Sequence, residues 1–274
     1  MSGRIALITG AARGQGRSHA VRLAEEGADI IAVDSCRDFA TVPYAMATPD
    51  DLTTTVQAVE ATGRRIVALE IDVRDQAALS AGVSEAAARL GGLDTVVANA
   101  GVISFGALES LAEDAWQDVI DINLTGAWHT AKAAIPHLRA RGGGAITITS
   151  SVMGLMPAPG IGHYVTTKHG VIGLMRTLAV ELAQDMIRVN CVNPTNVDTE
   201  MLINPVSYEK FAPDLAIEDR TDEALIERFT RSNLLPIPWV ESVDVSNAVL
   251  WLSSDEARYV TGVALPVDAG CTIK

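Results

Sequence analysis

Tyr164 and Lys168 stand four residues apart at the start of a stretch with helical spacing, so both side chains project from one face. A phenol is a poor base at neutral pH because its ordinary pKa is near ~10. A neighbouring ammonium favours the phenolate and lowers that value. Such a pair suits proton exchange with an alcohol or a carbonyl. Ser151 lies thirteen residues before Tyr164, where its hydroxyl can hold the same substrate oxygen beside the phenol. Ser150 is the neighbouring candidate, and spacing alone does not choose between them. Asn123 falls inside an earlier helical stretch, a mediocre place for an amide, and could hold a water that links Lys168 to bulk solvent. His163 adjoins Tyr164, but a helical neighbour one residue away faces elsewhere, which assigns His163 to the surface or a subunit contact.

Each of these residues has a bland alternative when taken singly. Their order behind a second motif gives them weight. Thr9–Gly16 reads TGAARGQG, between an apolar run and a helical pattern. Gly10, Gly14 and Gly16 let the backbone turn sharply and approach a pyrophosphate, while the following helix offers free N–H donors and a partial positive charge. Arg13 and Gln15 share the loop. This strand–loop–helix context marks a dinucleotide site.

Asp34 ends the second apolar run, about twenty residues on, where a carboxylate accepts from ribose hydroxyls and repels a 2′-phosphate. NAD is therefore favoured over NADP, although Arg13 or Arg37 could receive such a phosphate. Ser35 follows at once. Asp72–Val73 and Asn99–Ala100–Gly101 close two further runs at the edge expected to hold the adenine and its ribose. Asn99 could equally fix only neighbouring backbone.

These residues need a frame, and the alternation of apolar runs with amphipathic stretches supplies one. Strands are expected at 4–9, 29–33, 66–71, 94–98, 145–150, 187–192 and 263–267. Helices are expected at 16–26, 50–62, 76–90, 113–139 as one long element, 165–184 and 243–252, with a shorter one at 222–231. Strand–helix–strand alternation implies parallel pairing through right-handed crossovers. The expected fold is a single-domain, doubly wound α/β Rossmann fold over residues 1–274. Its seven-stranded parallel sheet has order 3-2-1-4-5-6-7, helices cover both faces, and ligand lies beyond the strands' carboxyl ends. Two segments are longer than ordinary connections: Ser35–Pro49 and Thr199–Glu241. Loops of this length in a compact domain are usually functional. Leu202, Ile203, Phe211, Leu234 and Leu235 in the second point either to an apolar pocket, for a secondary, cyclic or terpenoid alcohol, or only to packing of the lid against the core.

Composition narrows the classes. A net charge of −13 argues against nucleic acid. Cys36, Cys191 and Cys271 are scattered, an odd set without CxxC, so neither a disulfide framework nor a metal site is expected. A reducing, cytoplasmic location fits. No apolar run reaches membrane-spanning length, and no signal-peptide layout opens the chain.

Over nearly its whole length the sequence resembles the short-chain dehydrogenase/reductase family. TGAARGQG, ANAG (Ala98–Gly101), Asn123, Ser151, YVTTK (Tyr164–Lys168), NPTNVDT (Asn193–Thr199) and YVTGVALPVDAG (Tyr259–Gly270) carry the resemblance. It implies a tetrad of Asn123, Ser151, Tyr164 and Lys168, nicotinamide contacts from Pro194, Val197 and Thr199, and commonly a homotetramer. Three positions depart from the family's usual motifs: Ala98, Thr195 and Ala269 stand where Asn, Gly and Gly are usual. The insertion at 35–52 resembles that of the mycofactocin-associated, carveol-dehydrogenase-like subgroup. That likeness implies a loop over the adenosine end, retained NAD, and reoxidation by the peptide-derived carrier mycofactocin. The expected activity is NAD-dependent interconversion of a small apolar alcohol and its ketone. A catalytically silent NAD-binding regulator or scaffold is the alternative, which a damaged tetrad would favour.

Overall fold

Runs of Val, Ile, Leu and Ala long enough to be buried on both faces form seven parallel strands in the computed structural model. It describes residues 1–274, the side chains of Ile217 and Asp222 excepted. The strands are β1 (Ile5–Thr9), β2 (Asp29–Asp34), β3 (Ile66–Glu70), β4 (Thr95–Ala98), β5 (Gly144–Thr149), β6 (Ile187–Pro194) and β7 (Ala264–Val267). Their order is β3-β2-β1-β4-β5-β6-β7, as expected. Every adjacent pair is parallel.

Alternation along β1 shows how one strand serves two cores. Ile5 and Leu7 face a cluster built with α3 (Gln76–Leu90), α5 (Gly126–Ala140) and α6 (Gly162–Glu181), including Leu79, Leu138 and Met175. Ala6 and Ile8 face the other cluster, which includes Leu23 of α1 (Gly14–Glu25), Leu52 of α2 (Pro49–Glu60) and Val249 of α9 (Ser242–Ser253). Each fully buried Leu or Ile stabilises the fold by about 1.5–3 kcal/mol. Parallel strands all end on the same side, so Thr9, Asp34, Ala98, Thr149 and Pro194 share one edge of the sheet.

The expected single helix at 113–139 is three segments. α4 (Glu113–Ile120) passes into a π-helical turn at Asp121–Thr125, and α5 continues from Gly126. The π turn widens the helix by one residue per turn, a feature often found at functional sites. Gly126 is required just after it, because a Cβ there would lie 2.5 Å from Val73 Cγ2.

Both long segments are structured. Thr48 ends the first with a reciprocal cap: its Oγ1 accepts from Asp51 N at 3.2 Å, and Asp51 Oδ2 accepts from Thr48 N at 2.9 Å. The second carries α7 (Pro205–Phe211) and α8 (Asp222–Ser232) around a small apolar cluster of Ala212, Leu225 and Phe229. A parallel bridge between Val197 and Val240 closes its base. Among the described residues no helix is long and apolar enough to cross a membrane.

Candidate active site

A cavity of about 310 Å³ opens at the carboxyl edge of the sheet. Every site residue expected from the sequence lines it except Asn123, which sits behind its wall.

At one end lies the glycine loop. Gly10 and Gly14 hold φ of +67° and +51°, values that favour glycine. Gly16 has no room for a side chain, since a Cβ would fall 1.9 Å from the Gly10 carbonyl oxygen. The N-cap residue of α1, Arg13, gives no side-chain cap, so the first-turn donors face the cavity without a protein acceptor from that residue. Gln15 Oε1 is buried there without a hydrogen-bond partner among the described residues. Asp34 lines the same wall; its Oδ2 accepts from Ala12 N at 3.0 Å and its Oδ1 from Cys36 N at 3.2 Å. These features fit a dinucleotide: free donors for the pyrophosphate and a carboxylate at the ribose.

The two arginines that could have received a 2′-phosphate are engaged elsewhere. Arg13 Nη2 donates to the Ala45 carbonyl at 2.6 Å, and Arg37 pairs with Asp72. Burial works against the Asp72 carboxylate, but hydrogen bonds from Arg74 outweigh it and hold its pKa below the usual value. Asn99 has the bland role as well as a place on the wall: its Nδ2 donates to the Thr9 carbonyl at 3.2 Å, and its Oδ1 accepts from Thr149 Oγ1 at 3.1 Å.

At the other end stand Ser151, Tyr164 and Lys168. Ser151 follows β5, and its Oγ accepts from Met153 N at 3.1 Å. Burial pushes the Tyr164 phenol up to about 12, against a hydrogen bond from Ser151 that lowers it. Burial brings the Lys168 ammonium down to about 8. Its Nζ donates to the Thr149 carbonyl at 2.8 Å and lies 5.4 Å from the Tyr164 ring centroid. The lowering expected from Lys168 together with a positive nicotinamide has to work against this desolvation. Ser150 also lines the cavity, with its Oγ donating to the Lys168 carbonyl at 2.8 Å.

Asn123 lies in the π turn, 2% exposed. Its Oδ1 accepts from Val102 N and its Nδ2 donates to the Val102 carbonyl, both at 2.8 Å. A Cβ on Gly101 would sit 3.4 Å from Asn123 Oδ1 and 3.6 Å from Lys168 Nζ, so the glycine leaves the space between them open.

Pro194, Val197 and Thr199 line the cavity from β6 onward. Thr195, the departure from the usual glycine, is buried, and its Oγ1 donates to Asn233 Oδ1 at 3.2 Å.

Two expectations need correction. His163 is not at the surface: it is fully buried, with Nε2 2.8 Å from Ser104 Oγ. Leu234 and Leu235 are exposed and outside the cavity, and Ile203 does not line it either; Leu202 and Phe211 do. Sequence reasoning also missed Phe39, Tyr44 and Met46, which the first insertion places on the cavity wall. Tyr44 is half-buried, and its hydroxyl oxygen accepts from Ile103 N at 3.2 Å. Two aromatics in one loop of a chain with only four Phe and four Tyr were the available signal.

A family model described as short chain dehydrogenase matches residues 4–209. The chain belongs to the short-chain dehydrogenase family. The (−)-trans-carveol dehydrogenase of Rhodococcus erythropolis is 52% identical, with 100% of this chain and 99% of the relative covered. The structure of carveol dehydrogenase from Mycobacterium avium in complex with NAD superposes with a TM-score of 0.98 at 52% identity, covering 100% of this chain and 99% of the other. A short chain dehydrogenase from Mycobacterium paratuberculosis bound to NAD gives a TM-score of 0.90 at 43% identity, again over 100% and 99%.

Proposed function

We infer that this chain interconverts a secondary, apolar alcohol, cyclic or terpenoid in shape, and its ketone, with Tyr164 as the acid/base. The chain is an NAD-dependent oxidoreductase of the alcohol dehydrogenase type. One observation carries the finer reading: the half-buried Tyr164 shares a cavity wall with Ser151, one helical turn from Lys168, opposite an uncapped glycine loop.

NAD, when bound, supplies the hydride acceptor and, in its oxidised form, a positive ring. Gly10, Gly14, Gly16, Asp34, Ser35, Asp72, Val73 and the Asn99–Gly101 backbone would hold its adenosine and pyrophosphate end. Pro194, Val197, Thr199 and Lys168 would hold its nicotinamide end. Ser151 orients the substrate oxygen. Tyr164 takes the alcohol proton in oxidation and returns it in reduction. Lys168 and a water beside Asn123 connect that proton to solvent through the space above Gly101. Positioning and proton transfer share the rate enhancement. Phe105, Val152, Met153, Ile161, Leu202 and Phe211 supply an apolar wall for the rest of the substrate. The segment 199–241 serves as its lid.

The carveol dehydrogenases among the relatives support the substrate class. The insertion supports NAD retention and recycling by mycofactocin: Arg13 and Tyr44 fasten it across the cavity. A homotetramer and a cytoplasmic location complete the reading, the latter consistent with three free cysteines. The test is turnover with NAD⁺ on a panel of cyclic secondary alcohols that includes (−)-trans-carveol, before and after exhaustive dialysis. NADH formed from at least one alcohol is expected, with cofactor still bound after dialysis. No turnover on any alcohol removes the catalytic reading; protein that empties on dialysis and uses added NAD⁺ freely removes the retention reading.

A further inference from the structure

His163 is a buried imidazole that the reaction outlined above does not use. It lies one residue before Tyr164 and does not line the cavity. Its Nε2 is 2.8 Å from Ser104 Oγ, and Ser104 is 4% exposed. Its Nδ1 has no hydrogen-bond partner among the described residues. Leaving a buried ring nitrogen unpaired costs about 1–3 kcal/mol, which an apolar side chain of similar volume would not incur. The imidazole therefore brings something that filling space does not, and the directional bond to Ser104 is what it makes.

That bond joins two segments which meet at two further points. Gly106 N donates to the Gly160 carbonyl at 2.8 Å, beside a parallel bridge between Gly106 and Ile161. Leu108 packs over Gly162, where a Cβ would lie 2.6 Å from Leu108 Cγ. The loop after β4 is thus fastened along the start of α6. Ser104 itself sits between Ile103 and Phe105, both on the cavity wall. Phe105 meets Phe211 of α7 edge-on, with ring centroids 6.2 Å apart.

We infer that the His163–Ser104 bond is a positioning device that holds the Tyr164 phenol in register with the Ile103–Phe105 wall on which the substrate lies. The inference rests on Tyr164 being the acid/base. His163 is a positioning residue, since it touches neither cofactor nor substrate. Small misplacements of a reacting group reduce rate steeply, about 10²-fold for ~1 Å.

The test compares Ser104→Ala, His163→Ala, His163→Gln, His163→Asn, the Ser104→Ala/His163→Ala double variant and Tyr164→Phe, with the alcohol that the panel identifies. Gln places an amide nitrogen near the imidazole Nε2 position, whereas Asn places one near Nδ1. Expected are kcat values about tenfold lower in both alanine variants, a double variant no worse than the poorer single, and an unchanged NAD⁺ dissociation constant. Rescue is expected in His163→Gln and not in His163→Asn. Ser104→Ala removes one oxygen only, so it carries the test where His163→Ala fails to fold. Unchanged kcat in Ser104→Ala, or additive losses in the double variant, or equal rescue by Asn and Gln, overturns the inference. Full turnover in Tyr164→Phe instead overturns the acid/base reading on which it rests.

Discussion

The Lys168 ammonium lies 5.4 Å from the centre of the Tyr164 ring and donates to the Thr149 carbonyl, not to the phenol. The phenol is not poised for neutral pH in the protein alone, whereas the amine is close to it. Burial pushes the phenol up to about 12 and the amine down to about 8. A positive nicotinamide beside them favours the phenolate and the neutral amine.

Binding of NAD⁺ should therefore release protons. At pH 10 the amine, with its value of about 8, is already neutral, so the release there comes from the phenol. Calorimetry in buffers of different ionisation enthalpy should show the release with NAD⁺, little with NADH, and none in Tyr164→Phe. An equal release from Tyr164→Phe would place the proton elsewhere.

The same values bear on stability. The folded value of Lys168, about 8, lies below its ordinary 10.5, so the folded state binds fewer protons between them. Charged Lys168 destabilises the fold below about pH 8, and stability from this group rises with pH towards 10.5. A shift of that size corresponds to roughly 3 kcal/mol. Lys168→Met should flatten that rise in denaturant titrations run from pH 7 to 10. An unaltered slope would contradict the assignment.

On the proposed reading, Asp34 separates NAD from NADP by repelling a 2′-phosphate. Asp34→Ser should reduce the preference for NAD over NADP by about tenfold or more in kcat/KM, since like-charge contacts cost several kcal/mol. Some loss of thermal stability should accompany it, because Ala12 N and Cys36 N lose their acceptors. A preference that stays put would assign the discrimination to the insertion.

Gly16→Ala places a methyl 1.9 Å from the Gly10 carbonyl oxygen. The loop must shift, at a cost of about 1–3 kcal/mol. A lower melting temperature and at least tenfold weaker NAD binding by fluorescence titration are expected. Wild-type affinity would mean the pyrophosphate lies away from this loop.

The sheet was legible because strands buried on both faces read as unbroken apolar runs, and short connections leave one topology. The glycine loop and Tyr164–Lys168 were legible because their spacing encodes their geometry. The π turn at Asp121–Thr125 was not, since one extra residue per turn barely alters helical periodicity. His163 was misplaced for a related reason. Helical spacing says that it points away from Tyr164's face, but not that the loop carrying Ser104 covers the other face. Leu234 and Leu235 look like pocket residues in sequence, yet the chain turns there and Leu234 packs on Gly270, leaving both exposed. Phe39 and Tyr44 were missed because a loop without periodicity gives no inward direction.

The decisive measurement is steady-state oxidation by Tyr164→Phe alongside its NAD⁺ dissociation constant. Expected is wild-type cofactor affinity, within about twofold, with kcat lower by roughly 10²-fold or more. Turnover near the wild-type rate, with NAD⁺ bound normally, would contradict the role of the phenol.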